Sequence, residues 1–108
     1  MRLSKLNYTG IFLKDGTHMT FNYGLPLEYP KDIKSGDKAI LKVVGEYSDD
    51  QVSCLVVEWN GIKKQPSGTL LHITTKVQNG GKPVQSGQRA TKNGYNKITP
   101  YKLNGVWR

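Results

Sequence analysis

Turn signals interrupt this chain at intervals too short for long helices, and the segments between them alternate in the manner of β-strands. Tyr8–Leu13 reads as one strand. Lys14-Asp15-Gly16 forms a tight turn, and residues 17–23 return antiparallel. Pro26 and Pro30 bar a long helix from residues 24–37, a loop that ends at Ser35-Gly36-Asp37. Residues 38–45 and 51–59 form a hairpin around Ser48-Asp49-Asp50. Asn60-Gly61 marks a further turn. Residues 70–77 and 98–107 supply the last strands, separated by a polar, glycine-rich surface loop at 79–95 with a short helical turn. A chain of 108 residues with these elements is one mainly β domain with a modest core.

Both histidines of the chain sit in the same tripeptide frame, His18-Met19-Thr20 and His72-Ile73-Thr74. Ser and Thr occupy 14 of 108 positions. Chance would place one two residues after both histidines in roughly 2% of such chains. Side chains alternate faces along a strand, so each His shares a face with its Thr. In the first strand Asn22 joins that face while Met19 and Phe21 point to the core. In the second, Leu70 and Lys76 join it while Leu71, Ile73 and Val77 face the core.

Two imidazoles and two hydroxyls suffice for acid–base chemistry at a phosphodiester. With the two strands side by side, one neutral His takes a proton from the attacking oxygen and one imidazolium protonates the leaving oxygen. Thr20 and Thr74 donate to the non-bridging oxygens as charge develops there. Lys76 and Lys82 are candidate contacts to a substrate phosphate, and Tyr8, Tyr23 or Trp59 candidate stacking faces for a base.

Other chemistries fit less well. Two histidines and one cysteine make a poor donor set for a first-row metal, and no acidic cluster accompanies either His. The chain has no Gly-x-Ser-x-Gly elbow. Asn79-Gly80-Gly81-Lys82-Pro83 lacks the P-loop spacing and reads more simply as a glycine turn. Cys54 lies alone in an apolar run, which predicts a buried, inert thiol and no disulfide framework.

Charge is divided along the chain. Residues 1–58 hold all 8 acidic residues and 7 Lys/Arg, whereas residues 59–108 hold 9 Lys/Arg and no acid. That asymmetry predicts a polyanionic partner. No stretch reads as a signal peptide or a membrane span, and no amphipathic helix suggests a membrane surface, so a cytoplasmic location is expected.

In Thr17-His18-Met19-Thr20-Phe21 and Leu71-His72-Ile73-Thr74-Thr75 the chain resembles the 2H phosphoesterase superfamily. With Tyr8-Thr9-Gly10-Ile11 and Gly80-Gly81-Lys82-Pro83-Val84 it is similar to the tRNA-ligase-type phosphodiesterase branch, which includes small stand-alone viral and phage proteins. The resemblance implies bilobal antiparallel sheets whose two His-x-Thr strands face a shared cleft. It implies catalysis by His18 with Thr20 and His72 with Thr74, without cofactor or metal, on 2′,3′-cyclic, 2′–5′ or 3′–5′ linkages. The substrate would be RNA or a cyclic or oligonucleotide signal of the kind used in host defence, met in the host cytoplasm if the protein is viral. Between the first two strands only Lys14-Asp15-Gly16 fits, where such proteins place a helix, so a minimal α+β version is expected. A non-catalytic basic β-module that binds single-stranded RNA is the rival reading, and in it the two histidines need not meet.

Overall fold

The computed structural model describes residues 8–23 and 29–108. The expected loop at 24–37 and the chain start therefore lie partly or wholly outside the described residues. The elements are β1 (Tyr8–Leu13), β2 (His18–Tyr23), β3 (Lys38–Ser48), β4 (Val52–Glu58), β5 (His72–Val77), α1 (Pro83–Asn93) and β6 (Asn96–Trp107). The six strands close into one antiparallel barrel in the order β1-β2-β5-β4-β3-β6.

Three of the expected turns form as the local chemistry requires. Leu13 and Gly16 bond across Lys14-Asp15-Gly16, and Asp15 accepts from the Thr17 amide and hydroxyl. Asn60 and Gly61 both take positive φ (49° and 79°), the pair a type I′ turn needs, and Trp59 and Ile62 bridge across them. Asp49 accepts from the amides of Gln51 and Val52 and so caps the β3–β4 turn.

Closure into a barrel corrects the expectation of bilobal sheets. β6 is twelve residues long and pairs with β3 along most of its length and with β1 at its end, at Ile11↔Trp107, Phe12↔Val106 and Leu13↔Gly105. One strand thus joins the N-terminal hairpin to the β3–β4–β5 meander, and no free edge remains to separate two lobes. The helical turn expected in 79–95 is also longer than anticipated. α1 runs for eleven residues, with Pro83 in its first turn, where a missing N–H is harmless.

The interior is apolar. Ile11, Met19, Leu41, Val43, Val57, Leu71, Ile73 and Trp107 are fully buried or nearly so. Trp107 meets the rings of Phe21, Tyr29 and Trp59 edge-on at 5.1–6.3 Å. The expected core positions Met19, Phe21, Leu71 and Ile73 all pack here, and Cys54 is buried as expected, beneath Ala90 of α1. Val77, expected to face the core, is exposed instead. The register of β4 and β5 shifts between Ser53↔Lys76 and Cys54↔Thr74, and the extra β5 residue, Thr75, reverses the alternation so that Val77 turns away from the barrel interior.

Ile73 is the β5 residue at that single pairing and is 1% exposed. Ile73→Ala is expected to lower stability by about 2–5 kcal/mol, read as a shift of the urea unfolding midpoint.

Candidate active site

The β2–β5 pairing sets the geometry of the two motifs. Met19 lies opposite Ile73 in an antiparallel register. One residue further in each direction, His18 comes opposite Thr74, and Thr20 opposite His72. Both inner residues of the tripeptides point into the barrel, so the four polar side chains share its outer surface. Continued in that register, the two histidines are diagonal neighbours across the strand pair, a relation in which ring side chains can meet. All four motif residues line one cavity of about 530 Å³.

A bulge between Thr9 and Gly10 of β1 and the facing residues of β2 changes which side chain joins them. Gly10 pairs with Thr20, but Thr9 pairs with Asn22. The extra β2 residue reverses the alternation beyond it. Tyr23 therefore lines the cavity, 60% exposed, in place of Asn22, which the simple alternation had put on this face. Gly10 is required at the close approach: a Cβ there would overlap the Met19 carbonyl.

His72 is fixed from two sides. Its Nδ1 lies 2.7 Å from the Leu70 carbonyl oxygen. A carbonyl only accepts, so Nδ1 carries the proton and Nε2 is left for chemistry. The ring face rests on Gly87 of α1, where a Cβ would overlap Cε1, Nδ1 and Nε2. The helix is in turn docked through Arg89, Ala90 and Thr91, among other residues. Arg89 pairs with Asp49 at 3.0 Å and donates to Gln51 at 2.7 Å, Ala90 packs on Cys54 and Val56, and the Thr91 hydroxyl accepts from the Leu70 amide at 2.9 Å. The residue that holds His72 by its carbonyl is thus itself held by α1.

His18 lies on an aromatic bed. Its ring stacks at 5.0 Å on Tyr8 and at 4.9 Å on Phe12, which is its cross-strand partner. Tyr8 also meets Tyr23 at 5.7 Å. Tyr8 therefore supports the imidazole and is not among the residues lining the cavity.

The two threonines differ. Thr20 is 5% exposed, and its backbone carbonyl accepts from Gln65 Nε2 at 2.8 Å where the β2–β5 ladder has ended. Thr74 Oγ1 lies 2.9 Å from Ser86 Oγ, whose hydroxyl also reaches the Pro83 carbonyl at 2.9 Å. Ser86 has one proton to give. Directed at Thr74, it leaves the Thr74 hydroxyl to donate in turn, within the protein to the Pro83 carbonyl at 3.3 Å.

Burial pushes the His18 imidazole below its ordinary value, and the nearby His72 pushes it further. Burial lowers His72 too, opposed in part by its bond to Leu70. Lys76 and Lys82 are exposed and do not line the cavity, and no lysine or arginine does among the described residues. Lys82 caps α1, its amide donating to Gln85 at 2.9 Å. The Gly80-Gly81 segment is a turn packed on Gln51, as the simpler sequence reading had it. Among the described residues no three His, Cys, Asp or Glu side chains gather as a metal site would require, and no helix is long and apolar enough to cross a membrane.

The sequence reading missed Gln65, Ser67, Thr69 and Gln88, which line the cavity, and Gly87 and Phe12, which hold the histidines. Only the turn Gln65-Pro66-Ser67-Gly68 carried a local signal, and it spoke of a loop rather than a site. In comparisons with known proteins, the chain matches no family model, no curated protein and no solved structure.

Two measurements follow from the imidazole environments. His72→Ala removes a neighbouring positive charge, so the His18 pKa is expected to rise towards its ordinary value, read by NMR titration of the ring Cε1 proton. Both folded-state values lie below the ordinary 6.5. Between them and that value the unfolded chain binds protons that the folded protein refuses, so stability rises with pH there. Urea midpoints are expected to fall as pH drops from about 6.5 towards 5 and to be flat in this window in the His18→Asn, His72→Asn double variant.

Proposed function

We propose that the protein is a phosphodiesterase that opens 2′,3′-cyclic phosphate ends of RNA, or cleaves related 2′–5′ and 3′–5′ nucleotide linkages, by two-histidine acid–base catalysis without a metal. The observation that supports this most is the shared cavity: two His-x-Thr motifs far apart in the chain place their imidazoles as diagonal neighbours on one wall. A phosphate between them would have one ring on the side of the attacking water and one on the side of the leaving ribose oxygen.

In this reaction the water oxygen bonds to phosphorus as the bond to one ribose oxygen breaks. One neutral imidazole accepts the water proton, and the other, as imidazolium, gives its proton to the departing oxygen. At His72 the transfer uses Nε2, because Nδ1 is committed to Leu70. Thr20 donates to a non-bridging oxygen. Thr74 does so when Ser86 turns its own proton towards Thr74 and the Thr74 hydroxyl turns from the Pro83 carbonyl to the substrate. The product is a phosphomonoester. With no lysine or arginine in the cavity wall, the imidazolium supplies the positive charge that the transition state needs.

A cavity of about 530 Å³ falls in the range of small-molecule sites and takes one nucleotide unit, with Tyr23 offering an exposed ring to the base. The same site would serve against a cyclic or oligonucleotide signal, so the RNA end and the signalling nucleotide are variants of one chemistry.

Hydrolysis of a 2′,3′-cyclic nucleotide in the presence of EDTA tests the proposal. His18→Ala and His72→Ala are each expected to lower turnover by about 10²-fold or more. Near-wild-type rates in either variant would end the enzyme assignment. The active form holds one proton on the pair, a state that peaks between the two macroscopic pKa values. Both lie below the ordinary imidazole value, so kcat/KM is expected to be bell-shaped with its maximum below pH 6.5.

A further inference from the structure

Beyond the histidine cavity, the outer face of β1, β6 and β3 carries a larger groove of about 980 Å³. Its floor is apolar, formed by Phe12, Ile40 and Val106, and its cations are Lys14, Lys38 and Arg108. Ile40 is 54% exposed, an unusual position for an isoleucine on a sheet this basic. A smaller groove continues from Ile40 and Asn60 to Lys42 and Lys102, with Glu58 the only acid in either wall.

Strand register connects this groove to the candidate site. His18 pairs with Phe12, Phe12 with Val106, and Val106 with Lys38. These four residues form one row across four neighbouring strands, with the Phe12 ring stacked on His18 at one end and bordering the groove at the other. Neighbouring strands lie about 4.8 Å apart, so the row spans about 14 Å. Beside it, Ile40 faces Asn104 and Lys42 faces Lys102.

We propose that this groove binds a single-stranded polynucleotide whose reacting end lies in the histidine cavity. The occupant follows from charge and shape. Five cations against one carboxylate select a polyanion, and the apolar floor between them selects one with unstacked planar bases. A duplex buries its bases and would leave Phe12, Ile40 and Val106 without a partner. Among the described residues the cavity wall holds no lysine or arginine, and the groove supplies cations for phosphates beyond the reacting one. The link to the histidines rests on the proposed function, whereas the groove itself rests on its own residues.

The test uses a fluorescein-labelled 12-nucleotide single-stranded RNA, read by anisotropy, alongside hydrolysis of a cyclic mononucleotide and of an oligonucleotide with a cyclic phosphate end. Lys38→Glu with Lys102→Glu is expected to weaken RNA binding at least tenfold and to flatten its salt dependence, with a smaller loss for the Lys→Gln pair. Lys64→Glu with Lys92→Glu makes the same change in net charge elsewhere and is expected to have little effect. The groove pair should lose activity on the oligonucleotide and keep it on the mononucleotide. Equal weakening by both Glu pairs, no RNA binding by the wild type, or preference for anionic lipid vesicles over RNA would overturn the groove. Groove-dependent RNA binding by a protein that hydrolyses neither substrate would keep the groove and remove the catalytic reading.

Discussion

A single register position, Met19 against Ile73, carries the whole arrangement. It inserts two buried side chains into the barrel and, by the strict alternation of strands, sets four polar ones on the outside. A slip of either strand by one residue would turn its histidine inward and its apolar residue out, and the two motifs would no longer share a face. The burial of Met19 and Ile73 therefore specifies the site as firmly as any contact made by the histidines themselves. The pairing is also short. Because β2 and β5 separate on either side of it, a cavity opens at the site instead of a continuous sheet surface, and Gln65 takes the Thr20 carbonyl that a longer ladder would have used.

The two imidazoles are held by different means. Aromatic faces from β1 support His18, whereas His72 is pinned by a local carbonyl and by a helix that contributes only its backbone at Gly87. The helix can come so close because its buried face is built from Ser86, Gly87 and Ala90. Larger residues would pack against β4 and β5 at the cost of the imidazole's place. The Arg89–Asp49 pair adds little energy by itself at a partly exposed position, but with the Thr91–Leu70 bond it sets which part of the helix faces His72.

Polarity is segregated in the molecule. The cavity holds hydroxyls, amides and two imidazoles that burial keeps towards the neutral form, while lysines and arginines line the grooves behind β1, β6 and β3. Among the described residues no lysine or arginine lines the cavity, so no fixed cation there adds to the burial that lowers both imidazoles. The larger groove shares Phe12 with the support of His18, so the two polar environments meet at one side chain.

Local pattern in the sequence was enough to place the strands, the Asp-Gly and Asn-Gly turns, the buried Cys54 and the two faces of each His-x-Thr tripeptide, because alternation and turn chemistry act over a few residues. It was not enough for α1, whose buried face is made of the small residues Ser86, Gly87 and Ala90 in place of large apolar side chains. Nor did it reveal the bulge that exchanges Asn22 for Tyr23, since that depends on the partner strand. Closure into one barrel, the support of His18 by Tyr8 and Phe12, and the seating of His72 on Gly87 were decided only in three dimensions. Each joins residues distant in the chain, and which distant surfaces meet is fixed by how the whole core packs.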